Sequence, residues 1–271
     1  MDRDLLFDEA ITAGMRGDTD KAIESFRKVV ALDPDYVPAL YHLGKAYVKK
    51  GDFAAAIDTL TRAAAKRPDQ SSIHVDLGQA YLCRDELKKA QTSFTKALAF
   101  EDGSVRAITG IAQVHLKSAD WERAASHAKL VLLSSPMNFA ALYIVGAASR
   151  ELGNVTESRE ALQKARDIVN QFLNLKPDQV EGHFLLGETY YYEGTLDKAM
   201  ENYQLAEKHA GDTLNFVAFG LAFSLTDLQS KLGLCYKRLG LKDKAQEMGE
   251  RILDREPDNK VGRELAQSES E

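Results

Sequence analysis

The chain has 271 residues, 44% apolar and 28% charged, with a formal net charge of −6. That balance fits an ordinary globular chain with room for a sizeable core, and its acidity argues against nucleic acid or an anionic membrane surface as main partner. Cys83 and Cys235 lack C-x-x-C spacing, the N-terminus carries acids where a secretory signal needs cations, and the most apolar run, Leu214–Leu225, is too short to span a bilayer. The expectation is therefore a cytoplasmic protein with no zinc or redox motif and no membrane span.

Ala, Leu, Lys and Glu are abundant, no period-2 alternation persists, and no Asn-Gly or Asp-Gly hairpin signal occurs, so helices are expected throughout. A step of 34 residues organises the first half: Gly44, Gly78, Ala112 and Gly146 keep it, as do Pro34, Pro68, Asp102 and Pro136, and Ala56, Ala90 and Ala124. In chain order, a first repeat near 3–36 is clear in its second half (Ala22, Phe26, Val29, Pro34). The second, 37–70, reads Leu40, Leu43, Gly44, Tyr47, Ala56, Leu60, Ala63 and Pro68; the third, 71–104, reads His74, Leu77, Gly78, Tyr81, Ala90, Phe94 and Ala97. The fourth, 105–138, has Ile108, Ile111, Ala112, His115, Ala124, Ala128, Val131 and Pro136. The fifth, 139–179, carries seven extra residues, about two helical turns, which lengthen its second helix through Ile168, Val169 and Phe172. The sixth, 180–213, has His183, Leu186, Gly187, Tyr190, Ala199, Tyr203 and Ala206. The seventh, 214–259, has Leu232, Gly233, Tyr236, Ala245, Ile252 and Pro257, and its twelve extra residues, Leu214–Leu225, are assigned to a lengthened first helix. There Phe216, Phe219 and Phe223, at i, i+3 and i+7, would form one stripe: a packing face, or a self-association surface. Residues 260–271 read as a polar cap with Val261 and Leu265 turned inward.

This pattern of small, aromatic and proline positions resembles the tetratricopeptide repeat (TPR) family. The resemblance implies an all-α fold, a right-handed α-solenoid of stacked helix-turn-helix repeats forming a single superhelix over 1–271 with a short C-terminal capping helix. Each repeat would hide its apolar side in its neighbours, with Gly44 and Ala56 allowing close helix approach and Asp52, Asp120 and Asn154 capping second helices. In TPR proteins the opposite side of each first helix lines a concave groove. Here that side carries Tyr41, His42, Lys45 and Lys49; Val75, Gln79 and Leu82; Arg106 and Gln113; Tyr143 and Arg150; and Phe184, Glu188 and Tyr191. Mixed aromatic and cationic chemistry suits a peptide or protein segment with apolar anchors and some acids.

The expected function is a non-catalytic adaptor or scaffold holding a protein partner in that groove. A homo-oligomeric assembly protein is the alternative, and an accessory subunit of a secretion, envelope or glycosyl-transfer complex is a third reading that rests on fold analogy alone. The two-carboxylate clamp of co-chaperone TPR domains is not reproduced: of Tyr41, Lys45, Asp76, Arg106 and Gly110 at the required positions, only Arg106 fits. No H-E-x-x-H, G-x-x-x-x-G-K-[ST], G-x-S-x-G or G-x-G-x-x-G motif occurs, and the histidines are scattered, so no enzyme chemistry, cofactor or metal is expected.

Overall fold

A computed structural model of the chain describes residues 2–211 and 213–267; Met1, Asp212 and the last part of the expected cap, 268–271, lie outside the described residues. Among them the chain forms fifteen helices packed pairwise as stacked helix-turn-helix repeats, interrupted by one two-stranded hairpin. Its contacts group into two compact units, 1–131 and 132–271, described in turn.

The first unit contains α1 (Arg3–Met15), α2 (Thr19–Leu32), α3 (Val37–Lys50), α4 (Phe53–Lys66), α5 (Ser71–Cys83), α6 (Leu87–Phe100) and α7 (Val105–Lys117); α8 spans Trp121–Ser134. Odd-numbered helices are the first helices of each repeat and even-numbered ones the second. The turn between them needs one residue in the left-handed region. Gly17, Gly51 and Gly153 supply it at φ 85°, 80° and 79°, whereas Asp85 and Ala119 are held there at 59° and 57°. These five positions keep the 34-residue step, so one turn geometry recurs through the array. Asp18, Asp52 and Asp120 then accept from the amides of Lys21, Ala55 and Arg123 at the start of the second helices. Asn154 makes no such side-chain cap, contrary to expectation.

Small residues set the spacing of each pair. A Cβ added to Gly44 would lie 2.5 Å from Leu60 Cγ, and one on Gly78 would lie 2.8 Å from Phe94 Cδ1. In the second unit, Gly146 and Gly187 stand against Leu162 and Tyr203 in the same way, each at 2.5 Å. Leu60, Phe94, Leu162 and Tyr203 are all fully buried. Each large side chain therefore occupies the space that its glycine leaves open.

The second unit contains α9 (Phe139–Glu151), α10 (Val155–Leu175), α11 (Val180–Glu193), α12 (Leu196–Ala210), β1 (Asn215–Ala218), β2 (Leu221–Ser224), α13 (Leu225–Arg238), α14 (Lys242–Arg255) and α15 (Lys260–Ala266). Its longest helix, α10, has 21 residues. The segment 214–225 is the main departure from the sequence expectation. It is an antiparallel hairpin placed before the first helix of its repeat, not a lengthening of that helix, with Phe216 paired to Phe223 and Val217 to Ala222. Phe219 and Gly220 form the tip at φ 53° and 78°, the geometry of a tight hairpin turn. Ser224 closes the hairpin and opens α13 through a capping box with Asp227. The left-handed conformation is costly for Phe219, but its ring packs 5.3 Å from both Phe139 and Phe172, which fixes the tip.

Candidate functional site

In the first unit the first helices form a row, α3 packing on α5 and α5 on α7. Tyr41 is half-buried on this row, its ring 5.5 Å from His42 and 5.4 Å from the Lys45 ammonium. Burial, then Asp76, pushes the Tyr41 hydroxyl above its ordinary pKa. Burial, then Lys45, holds His42 below the usual histidine value. Asp76 is buried and pairs with the exposed Arg106. Lys45 and Lys49 are exposed, and Gln79 is half-buried with its amide donating to Cys83 Sγ at 3.7 Å. Val75, Leu82 and Gln113 are buried, the first two inside the core around Phe94, so they do not line an open face as expected. The surface left on this row is therefore Tyr41, Lys45, Lys49, Gln79 and Arg106, with His42 at its edge.

In the second unit the first helices α9 and α11 also pack together, and there they are built on a buried charge. Glu188 on α11 is 4% exposed. It accepts from the hydroxyls of Tyr143 on α9 and Tyr203 on α12, each at 2.6 Å, and faces the Lys231 ammonium on α13 at 3.1 Å. Four helices thus meet at one carboxylate. Burial, reinforced by Glu188, raises Tyr143 and Tyr203 well above the ordinary phenol pKa. Burial alone would lower the Lys231 ammonium, but Glu188 and the neighbouring tyrosines outweigh it and hold the pKa above its usual value. Cys235, close behind, is pushed up to about 12 by burial and then by Glu188.

Above this network lies an aromatic platform. The Lys231 ammonium sits 4.8 Å from the Tyr191 ring and 5.2 Å from the Tyr192 ring, and the Arg238 guanidinium lies 5.2 Å from Tyr191. Tyr191 and Tyr192 are half-buried and Arg238 is exposed. Arg150 is exposed near Gly194, just past the end of α11. The neighbouring acid Glu193 is already committed to the buried Arg166 at 2.9 Å. Chemically, the platform offers half-buried aromatic rings with cations over their faces, Lys231 paired with Glu188 beneath and Arg238 exposed.

Three expected lining residues are sealed instead. Tyr143 is held by Glu188, and Phe184 is covered by the hairpin, whose Phe223 stacks on it at 3.7 Å. Glu188 itself lies under the platform. Phe216 and Phe223 are buried against one another at 5.0 Å, and Phe219 packs on Phe139 and Phe172, so the three phenylalanines face their own unit and not one outward stripe. Position counting found Tyr191 but passed over Lys231 and Arg238. With Gly233 aligned on Gly44, the seventh repeat places them where the second has His42 and Lys49. Among the described residues no group of three or more His, Cys, Asp and Glu side chains is arranged to hold a metal, and no helix is long and apolar enough to cross a membrane.

Comparison with known proteins agrees with this architecture. The family described as cilia and flagella-associated protein 70 C-terminal domain matches residues 10–218, and a tetratricopeptide repeat family matches 227–259. No curated protein matches the chain. Among solved structures, a tetratricopeptide repeat protein from Parabacteroides merdae aligns over 97% of this chain and 96% of its own, with 15% identity and a TM-score of 0.64. A chain of the APC/C hetero-tetramer Cut9-Hcn1 aligns over 97% of this chain and 48% of its own, at 18% identity and a TM-score of 0.64. MamA covers 73% of this chain and 96% of its own, at 21% identity and a TM-score of 0.50. At these identities the structural likeness concerns the fold.

Proposed function

Because the chain belongs to the family described as cilia and flagella-associated protein 70 C-terminal domain, whose repeats are tetratricopeptide repeats, we propose that it is a non-catalytic adaptor that grips a segment of another protein on the first-helix row of its second unit. The observation that carries this reading is the platform of Tyr191 and Tyr192, bordered by Lys231 and Arg238 and held rigid from below by Glu188. Half-exposed aromatic rings with fixed positions give contact area at small entropic cost, and flanking cations select partners with acidic groups. Tyr41, Lys45, Lys49 and Arg106 offer a second, more polar stretch of the same kind on the first unit. The family description favours service within a large protein assembly, such as those of cilia and flagella.

Affinity capture from the source organism with the intact protein as bait tests the proposal, run in parallel with a Tyr191→Ala/Arg238→Ala variant. Partners held by the parent and lost by the variant support it. Partners held equally by both place the binding surface elsewhere and overturn it.

A further inference from the structure

Away from the first-helix rows, the first unit carries two grooves between consecutive second helices; each residue lining the first has its counterpart one repeat step on in the second, which adds Pro68, His74 and Lys88. The groove between α2 and α4 has a volume of about 300 Å³ and includes Val30, Leu43, Tyr47, Asp58 and Arg62. The groove between α4 and α6 has about 520 Å³ and places Ala64, Leu77, Tyr81, Thr92 and Lys96 at the same positions. The apolar floor of leucine and tyrosine is retained. Ala64 for Val30 and Thr61 for Arg27 enlarge the space, and Thr92 for Asp58 removes an acid. Lys89 stands where the first groove has Ala55, and Lys88, which also lines the second groove, follows Ala54 by one repeat step. The first lining therefore holds two arginines against one aspartate, the second three lysines and no acid. Indeed α6 has no acidic residue at all, in a chain of net charge −6.

The cations also differ in what they touch. Arg62 donates to the Pro34 carbonyl at 3.3 Å in the smaller groove. In the larger one Lys89 pairs with Glu86 at 2.7 Å, but the ammonium groups of Lys88 and Lys96 have no acidic partner among the described residues. Eight residues apart on one helix, Lys88 and Lys96 are separated by about 12 Å along its axis. That distance is about four residues of extended chain.

We propose that the α4–α6 groove is a second binding site, which takes an acidic segment of a partner protein. A bulky apolar side chain enters over Leu77 and Tyr81, and carboxylates about four residues apart reach Lys88 and Lys96. The neighbouring groove, with its own acid and less room, does not bind the same segment.

Fluorescence anisotropy with a fluorescein-labelled EEDLFDEE peptide tests this on the full chain. Binding is expected to be saturable and to weaken as salt rises. It should fall about tenfold in a Lys88→Ala/Lys96→Ala variant. A similar loss is expected in Ala64→Val/Thr92→Asp, which gives this groove side chains the adjacent repeat already accommodates, so the fold is kept. In a Tyr191→Ala/Arg238→Ala background, which removes any share of peptide bound by the platform on α11 and α13, the Lys88→Ala/Lys96→Ala change should still lower binding about tenfold, and that separates the two sites. The proposal is overturned if the parent does not bind the peptide, if both groove variants bind it unchanged, or if an EEDGGDEE peptide binds equally well. Lysine-dependent binding of phosphatidylglycerol vesicles without peptide binding also overturns it, in favour of a membrane contact.

Discussion

Replacing Glu188 by Gln removes the carboxylate at the meeting point of α9, α11, α12 and α13 while nearly preserving shape. The glutamine carbonyl still accepts from one tyrosine hydroxyl, but its amide is a donor facing the other. The larger loss is at Lys231, whose ammonium stands 3.1 Å from the carboxylate. Deleting one member of a buried ion pair costs about 3–5 kcal/mol, because the survivor is left charged and uncompensated. The Lys231 side chain keeps 26% exposure, so water recovers part of this, and the expected loss is about 2–3 kcal/mol. At an ordinary urea sensitivity that lowers the unfolding midpoint by about 1–2 M. Circular dichroism through a urea titration gives the number. Adding Lys231→Met should return part of the loss, since the orphaned charge is gone, with a coupling of about 1 kcal/mol or more in the double-mutant cycle. A Glu188→Gln protein within about 0.5 kcal/mol of the parent, with no coupling to Lys231→Met, would refute the claim that this carboxylate is the unit's electrostatic keystone.

Ala119, held at φ 57° where three of the four equivalent turns use glycine, should tolerate Ala119→Gly with a gain of about 0.5–1 kcal/mol, read as a rise in urea midpoint; a loss would mean the turn is not strained. Gly78→Ala should destabilise by about 1–3 kcal/mol despite the better helix propensity, because the new methyl meets the fully buried Phe94 ring, and combining it with Phe94→Leu should soften the effect. In the native protein a thiol reagent near neutral pH should modify the half-buried Cys83 and spare Cys235, with both reacting after denaturation, as counted by intact-mass spectrometry. The raised thiol also sets a pH dependence. The unfolded chain gives up the Cys235 proton near 9.0 while the folded chain keeps it to about 12. The contribution to stability is complete below the lower value and falls as pH rises between the two, and Cys235→Ala should flatten that part of a urea-midpoint profile. His42 and His115, both held below the usual histidine value chiefly by burial, act in the opposite direction: stability is complete above about pH 6.5 and falls below it.

Much of this architecture is legible in the residues. The glycine opposite a large second-helix side chain and the left-handed turn positions recur at the same step, because each repeat must solve the same packing problem. The hairpin was not legible for a physical reason. Phe216, Phe219 and Phe223 satisfy a helical spacing, and the turn is Phe-Gly, where the usual signal is Asn-Gly or Asp-Gly. Only tertiary packing of Phe219 against Phe139 and Phe172 favours a bulky residue at that φ. The site was half legible. Position counting gives the direction a helical side chain takes but not what lies above it, so it places Phe184 on an open groove although Phe223 covers it. Glu188 likewise reads as a surface acid until Tyr143, Tyr203 and Lys231, remote in sequence, are brought to it.

Hydrogen exchange by mass spectrometry, on the protein alone and bound to its captured partner, tests the adaptor proposal most directly. Slowed exchange along 180–193 and 225–238, the helices that carry Tyr191, Tyr192, Lys231 and Arg238, is the predicted outcome. Slowing confined to the second helices of that unit, with those two segments unchanged, would contradict it.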